Sequence, residues 1–179
     1  LGALEFKYPF FRGRNNKSEV LIPVAQLVYS TDTTSPKRPI DEDSSTTEFD
    51  STTLFRLRKI PGIDRQENGL RLNAGLQYFY DYKNNYKYNI NLGQVYRNKN
   101  SEDFLPSSGL NGYESDILLS GNLSFKKNLE IASKHVYSKN FTLKRSNTSL
   151  KLTKPRYQIK TSLTNLVSDV SEGTSTDLQ

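Results

Sequence analysis

Hydrophobic and polar residues alternate with period two along much of the chain. Across residues 70–82, Leu70, Leu72, Ala74, Leu76, Tyr78, Tyr80 and Tyr82 share one parity. Arg71, Asn73, Gly75, Gln77 and Asp81 share the other, with Phe79 the one exception. Successive side chains of a strand point to opposite faces, so this spacing predicts a strand with one apolar and one polar face. The run is longer than the roughly 5–6 residues of an average strand and meets the roughly 9–11 with which a tilted strand crosses a bilayer. After Lys83-Asn84-Asn85 the pattern resumes, with Tyr86, Tyr88, Ile90, Leu92 and Tyr96 set against Lys87, Asn89, Asn91, Gly93 and Arg97. Two long alternating runs joined by an Asn-rich break predict a β-hairpin. Ile117, Leu119, Leu123 and Phe125 likewise oppose Asp116, Ser120, Asn122 and Ser124, with Leu118 out of place. Beyond Lys126-Lys127-Asn128 the alternation continues through Leu129, Ile131, His135 and Tyr137. Weaker strands are predicted at 3–12, 19–29, 140–152 and 156–166, and a ninth beginning near Ser175.

The connections alternate in length. Those after the first, third, fifth and seventh strands are short, at 13–18, 83–85, 126–128 and 153–155. Those after the second, fourth and eighth are longer, at 30–68, 98–114 and 167–174; the sixth, near Ser138-Lys139, is a short exception. Short periplasmic turns and long extracellular loops are the outer-membrane barrel pattern. The expected fold class is all-β, an antiparallel transmembrane β-barrel segment of about 8–9 strands from a larger barrel. Residues 1–179 read as one domain without a second, with an extracellular loop at 30–68. A soluble antiparallel sandwich is the competing architecture, and strands of this length, repeated this often, weigh against it.

Composition fits the same picture. Hydrophobic residues make up 34% of the chain and the mean hydropathy is -0.69, which would give a soluble domain a thin core. Yet 11 Tyr and 9 Phe are too many aromatics for a disordered chain. A wet interior with aromatic girdles reconciles the two. No run of about 18 apolar residues exists, so no transmembrane helix is expected. The net charge of +6 reads as a solvated basic surface. The densest basic patches, at 56–59 and 139–145, are too short to predict a nucleic-acid partner. The chain opens with no basic leader, no long apolar stretch and no Met, so it reads as an internal piece of a longer one.

Candidate chemistry is sparse. With no Cys there is no disulfide framework, thiolate metal site or thiol nucleophile. The single His, His135, falls on the apolar parity and reads as a lipid-interface or packed residue; no G-x-S-x-G elbow accompanies it. The carboxylates at 41–50 lack the spacing of a calcium loop. Neither an enzyme, a cofactor nor a metal site is expected.

The long loop carries the specific signal. It reads Pro39-Ile40-Asp41-Glu42-Asp43-Ser44, then Phe49-Asp50-Ser51-Thr52-Thr53-Leu54-Phe55, then Pro61-Gly62-Ile63-Asp64-Arg65-Gln66-Glu67-Asn68-Gly69-Leu70-Arg71. This order resembles the outer-membrane LPS-assembly protein family (LptD) in its C-terminal barrel, where an N-E-D-S stretch, an F-D-x-x-N-L-F stretch and P-G-x-D-R-x-E-x-G-x-R follow one another. Tyr8-Pro9, Ile22-Pro23-Val24-Ala25-Gln26, Leu92-Gly93-Gln94-Val95-Tyr96-Arg97, Ser108-Gly109-Leu110 and Ser115-Asp116 match as well. The likeness is clear from Leu4 to Asp116 and fades to strand pattern beyond. Asp41 and Thr53 depart from the family, which has Asn at both places.

The resemblance implies a translocon barrel that receives lipopolysaccharide (LPS) from periplasmic bridge proteins and inserts it into the outer leaflet. A lipoprotein plug subunit is the further implied partner, and the implied location is the bacterial outer membrane. The alternatives are a small porin-like or structural barrel without LPS specificity, and a soluble extracellular sandwich. Arg71, Lys87 and Arg97, on the polar parity, are the expected lumen charges able to meet phosphates. Asp43, Ser44, Gly62, Asp64, Arg65, Glu67 and Gly69 form the expected structural loop motif. Its carboxylates and Arg residues pair to fold the loop on itself over one side of the barrel, or else contact LPS or the plug. Gly62 and Gly69 allow the positive φ such a fold needs.

Overall fold

The alternating runs become strands of one antiparallel sheet in the computed structural model, which describes residues 1–31, 49–59, 67–83, 85–100, 104, 108–126 and 128–166. The strands are β1 (Gly2–Lys7), β2 (Phe10–Arg14), β3 (Lys17–Ser30), β4 (Gly69–Tyr82), β5 (Tyr86–Arg97), β6 (Ile117–Phe125), β7 (Leu129–Tyr137), β8 (Leu143–Lys154) and β9 (Tyr157–Leu166), with one short helix, α1 (Ser51–Leu54). Their order is β1-β3-β4-β5-β6-β7-β8-β9, with β2 also paired to β3. From β3 onward every strand lies beside its sequence neighbour, an up-and-down meander that is not closed into a ring.

Several boundaries differ from expectation for physical reasons. The first strand, expected at 3–12, is broken at Tyr8-Pro9 into β1 and β2, both in register on β3. Pro9 has no N–H to give the ladder, and the Tyr8 N–H reaches the Pro23 carbonyl only at 3.4 Å. The strand expected at 140–152 starts later, at Leu143, because Phe141 takes a φ of +59° in the preceding turn. The ninth strand foreseen near Ser175 lies outside the described residues; the sheet reaches nine strands through the break in the first.

The two faces differ as the alternation requires. Leu27, Tyr29, Leu70, Leu72, Leu76, Ile90, Leu92 and Leu123 remain exposed on one face. At the end of that face near the tight turns the tyrosines cluster. Tyr80 lies 4.9 Å from Tyr88 and 5.7 Å from Tyr86, and Tyr82 lies 5.3 Å from Tyr86. Such an aromatic belt beside an apolar band is what a membrane–water boundary selects. His135 lies on this face as well, bonded to Ser133 at 2.6 Å, which in turn meets Thr148 at 3.1 Å. The opposite face carries polar ladders, with Asn73 bonded to Gln26, Gln26 to Glu5, and Asn122 to Asn89.

The tight turns share one end of the sheet and are stitched together. The Asn16 carbonyl accepts from Lys83 N at 3.0 Å, that of Asn85 from Lys126 N at 2.7 Å, and that of Asn128 from Thr153 N at 2.7 Å. Each hairpin turn thus holds the next, which fixes strand stagger along that rim.

Candidate functional site

At the loop end, residues 49–59 run as a strap across the polar face. The strap needs somewhere to sit, and the sheet supplies a bare seat. Gly75 and Gly93 are direct cross-strand partners. A Cβ on Gly75 would lie 2.7 Å from the Phe55 ring and 2.9 Å from the Leu92 carbonyl, and one on Gly93 would collide with Leu54. Two glycines side by side let Leu54 and Phe55 rest on sheet backbone. Around them Phe49, Leu54, Val95, Phe104, Leu110, Leu118 and Val136 form one buried cluster. Leu118, out of phase in the alternation, is the floor of this cluster and is fully buried.

α1 is held at both ends. Asp50 caps its start: the carboxylate accepts from the N–H groups of Thr52 and Thr53 at 2.8 and 2.9 Å, while the Thr53 hydroxyl accepts from the Asp50 N–H at 2.8 Å. The family's Asn is therefore replaced by a residue that completes a capping box. Lys59, 1% exposed, donates through Nζ to the carbonyls of Thr53 (2.7 Å) and Leu54, groups that a helix end leaves unpaired. Burial lowers the Lys59 pKa well below its ordinary 10.5, and the positive charges of Arg71, Arg97 and Arg56 add to the effect.

The strap is also tied to the far strands. Lys134 on β7 reaches Asp50 at 3.2 Å and Arg145 on β8 donates to the Phe49 carbonyl at 3.0 Å. Burial would raise the Asp50 pKa, but hydrogen bonds from Thr52, Thr53 and Lys134 outweigh it and hold the group at about 2 against an ordinary 3.8. A group so depressed stabilises the fold above its unfolded value and loses that contribution as pH falls through the folded one. Strap docking, followed by proteolysis of residues 31–59, is thus expected to be constant above pH 4 and to weaken from about 4 to about 2. Asp50→Ala removes the cap at neutral pH at a cost of roughly 0.5–2 kcal/mol.

An ion cluster closes the other end of the strap. Arg71 and Arg97 are direct cross-strand partners, a repulsive placement on its own. Glu67 sits between them, meeting Arg97 Nε and Nη2 at 3.0 and 2.8 Å and pairing with Arg71 as well. Arg71 also donates to the carbonyls of Leu57 (2.8 Å) and Arg56 (3.3 Å). The Arg97 guanidinium lies 5.3 Å from the centroid of the Phe104 ring. All three charged side chains are buried. Each element contributes: β4 and β5 set the arginines, Gly69 at φ +98° starts β4, and Glu67 just precedes it.

The residues expected to act are therefore split. Arg71 and Arg97 meet at the loop end, where they hold the strap. Lys87 lies about 30 Å away along β5, exposed and paired with Asp81 at 2.6 Å. Of the loop motif, Glu67 and Gly69 join the cluster, while Asp43, Ser44, Gly62, Asp64 and Arg65 lie outside the described residues. The two late motif pieces do converge: Asp116 N donates to the Gly109 carbonyl at 2.8 Å, with Gly109 at φ +77° and Leu110 in the buried cluster. Burial raises the Asp116 pKa, opposed by Lys144 and Lys139. Asp50 falls in the quoted loop motif, but its capping role is not legible there, and no role for Lys59 or for the glycine pair is read from sequence. The glycines have a signal, since both fall on the polar parity of long strands; Lys59 has none.

Long antiparallel strands, an apolar face with a tyrosine belt, and a polar face closed at one end by its own loop define the wall of an outer-membrane β-barrel. A family model, LPS transport system D, matches residues 2–179. The chain belongs to this LptD family, which transports and assembles lipopolysaccharide at the outer membrane together with other components of the LPS transport system. No curated protein matches the chain.

Proposed function

We propose that these strands are an arc of the translocon barrel that delivers LPS into the outer leaflet. The observation that carries this reading is the two-faced wall, polar and strapped within, apolar and tyrosine-belted without. A polar lumen passes saccharide and phosphate, while the acyl chains leave sideways into lipid. The family supports LPS as cargo. In this reading the turn rim faces the periplasm and the strap faces the cell exterior. A lipoprotein plug and periplasmic bridge proteins are the partners, and Lys87 is a lumen charge. Arg71 and Arg97 serve by closing the loop over the lumen. A self-contained small barrel would need the sheet edges at β1 and β9 to pair, and the sheet is not closed.

The test is made in cells that depend on the full-length protein. Its depletion is expected to cut the LPS reaching the surface and to leave LPS in the inner membrane. Deleting residues 49–59 is expected to leave a heat-modifiable barrel that admits large hydrophilic antibiotics. Unchanged surface LPS after depletion would overturn the reading.

A further inference from the structure

The polar face is not uniform in charge. On β3 to β6, below the strap, its only charged side chains among the described residues are Asp81 and Lys87, which pair with each other. On β7 to β9 the same face carries Lys134, Arg145, Lys151 and Lys160 against a single strand carboxylate, Glu130. Counting Asp50 from the strap still leaves an excess of two positive charges. Lys134, Arg145 and Lys160 share the strap's face, since they line an open concavity of about 450 Å³ together with Phe49 and Asp50, and register puts Glu130 and Lys151 in one row with Lys160.

Within this patch one arrangement is unfavourable by itself. Lys151 and Lys160 stand directly opposite each other on β8 and β9, and like charges in facing positions repel. Glu130 reaches Lys151 at 3.2 Å, which compensates one ammonium of the two. Between the basic rows lies a row of small side chains, Ala132, Ser149 and Ser162 in register. The next row brings Asn147 against Thr164 at 3.2 Å. Hydroxyls and ammonium groups, with no bulky side chain between them, suit a ligand that carries both sugar hydroxyls and phosphate. Ammonium groups meet phosphate as mobile point charges and hold it without fixing its orientation, which suits a ligand in transit.

We propose that the polar face of β7–β9 is the part of the wall that contacts the phosphorylated saccharide of LPS during passage. Lys151 and Lys160 meet phosphate, and Ser149, Ser162 and Thr164 meet sugar hydroxyls. This rests on the reading that the face lines the LPS lumen. It moves the phosphate contacts from Arg71 and Arg97, which are engaged with the strap, to strands eight and nine.

A photo-crosslinking amino acid placed singly at Ser162 or Thr164, and as controls at Asn89 or Asn122, tests it in the full-length protein in cells. LPS adducts are expected at 162 and 164 in clear excess over 89 and 122. Lys151→Gln with Lys160→Gln is expected to lower them by roughly threefold or more, the scale of an exposed ion pair lost, whereas Lys154→Gln, on the opposite face of β8, leaves them unchanged. Heat-modifiable migration confirms assembly. If the double variant does not assemble, Lys160→Gln alone, on the exposed strand β9, carries the test. Adducts equal on both sets of strands, adducts to a protein in place of LPS, or indifference to the lysines each overturn the proposal while the transport reading stands. LPS adducts at none of the four positions would remove both.

Discussion

Glu67→Ala is expected to release the strap from the polar face. The substitution leaves the Arg71 and Arg97 guanidinium groups facing each other across β4 and β5 in a buried site, without the carboxylate that lies between them. Removing one partner of a buried ion cluster costs about 3–5 kcal/mol, because the remaining charges stay desolvated. The cheapest escape is for the arginines to swing into water, which takes the Leu57 and Arg56 carbonyl contacts with them. The β4–β5 ladder is independent of this, so the barrel itself stays folded. Proteolysis of intact cells should therefore cut within residues 31–68 far faster than in the parent, with unchanged heat-modifiable migration. Glu67→Gln keeps the shape and one acceptor and should fall between the two. A strap in the alanine variant that resists protease as well as the parent's would show that Glu67 does not hold it.

The second large effect concerns the glycine seat. Leu54→Ala empties a buried site and is expected to cost about 2–5 kcal/mol of docking. Gly93→Ala puts a methyl into the same space, where it meets Leu54 and lies 3.1 Å from the Ala74 carbonyl; overfilling of this kind costs about 1–3 kcal/mol. Made together, the two changes should cost less than their sum, since the new methyl occupies part of the space the leucine vacates. Side chains in contact couple by about 0.5–3 kcal/mol. The comparison is made on strap proteolysis for the two single variants and the double. Strict additivity would mean that Leu54 does not rest on Gly93.

The wall was legible because period-two alternation is local: Leu70 to Tyr82 and Tyr86 to Arg97 show it on their own. Hairpin partners follow from tight turns, and the two-faced sheet follows from both. The breaks in the pattern proved more informative than the pattern. Leu118 and Phe79 sit on the polar parity of their strands, and Leu118 is where the loop lands. Gly75 and Gly93 stand on the polar parity of two strands, and only register, which places them side by side, makes them one seat. The strap's path was not legible, because a loop's destination depends on contacts far away in sequence, such as Phe49 with Arg145 and Asp50 with Lys134. Arg71 and Arg97 were found as charges on the polar parity, but parity does not say whether a side chain ends in water or under a loop.

Lys59 gives the molecule an internal clock for strap movement. Most lysines of the described strands and turns are open to solvent, and an amine-reactive ester added outside the cell would acylate those it can reach within seconds. Lys59 is sealed against the carbonyls of Thr53 and Leu54, so it reacts only in the intervals when the strap is lifted. Its slow labelling, resolved peptide by peptide, would count those intervals, and any cargo that props the lumen open would quicken the count.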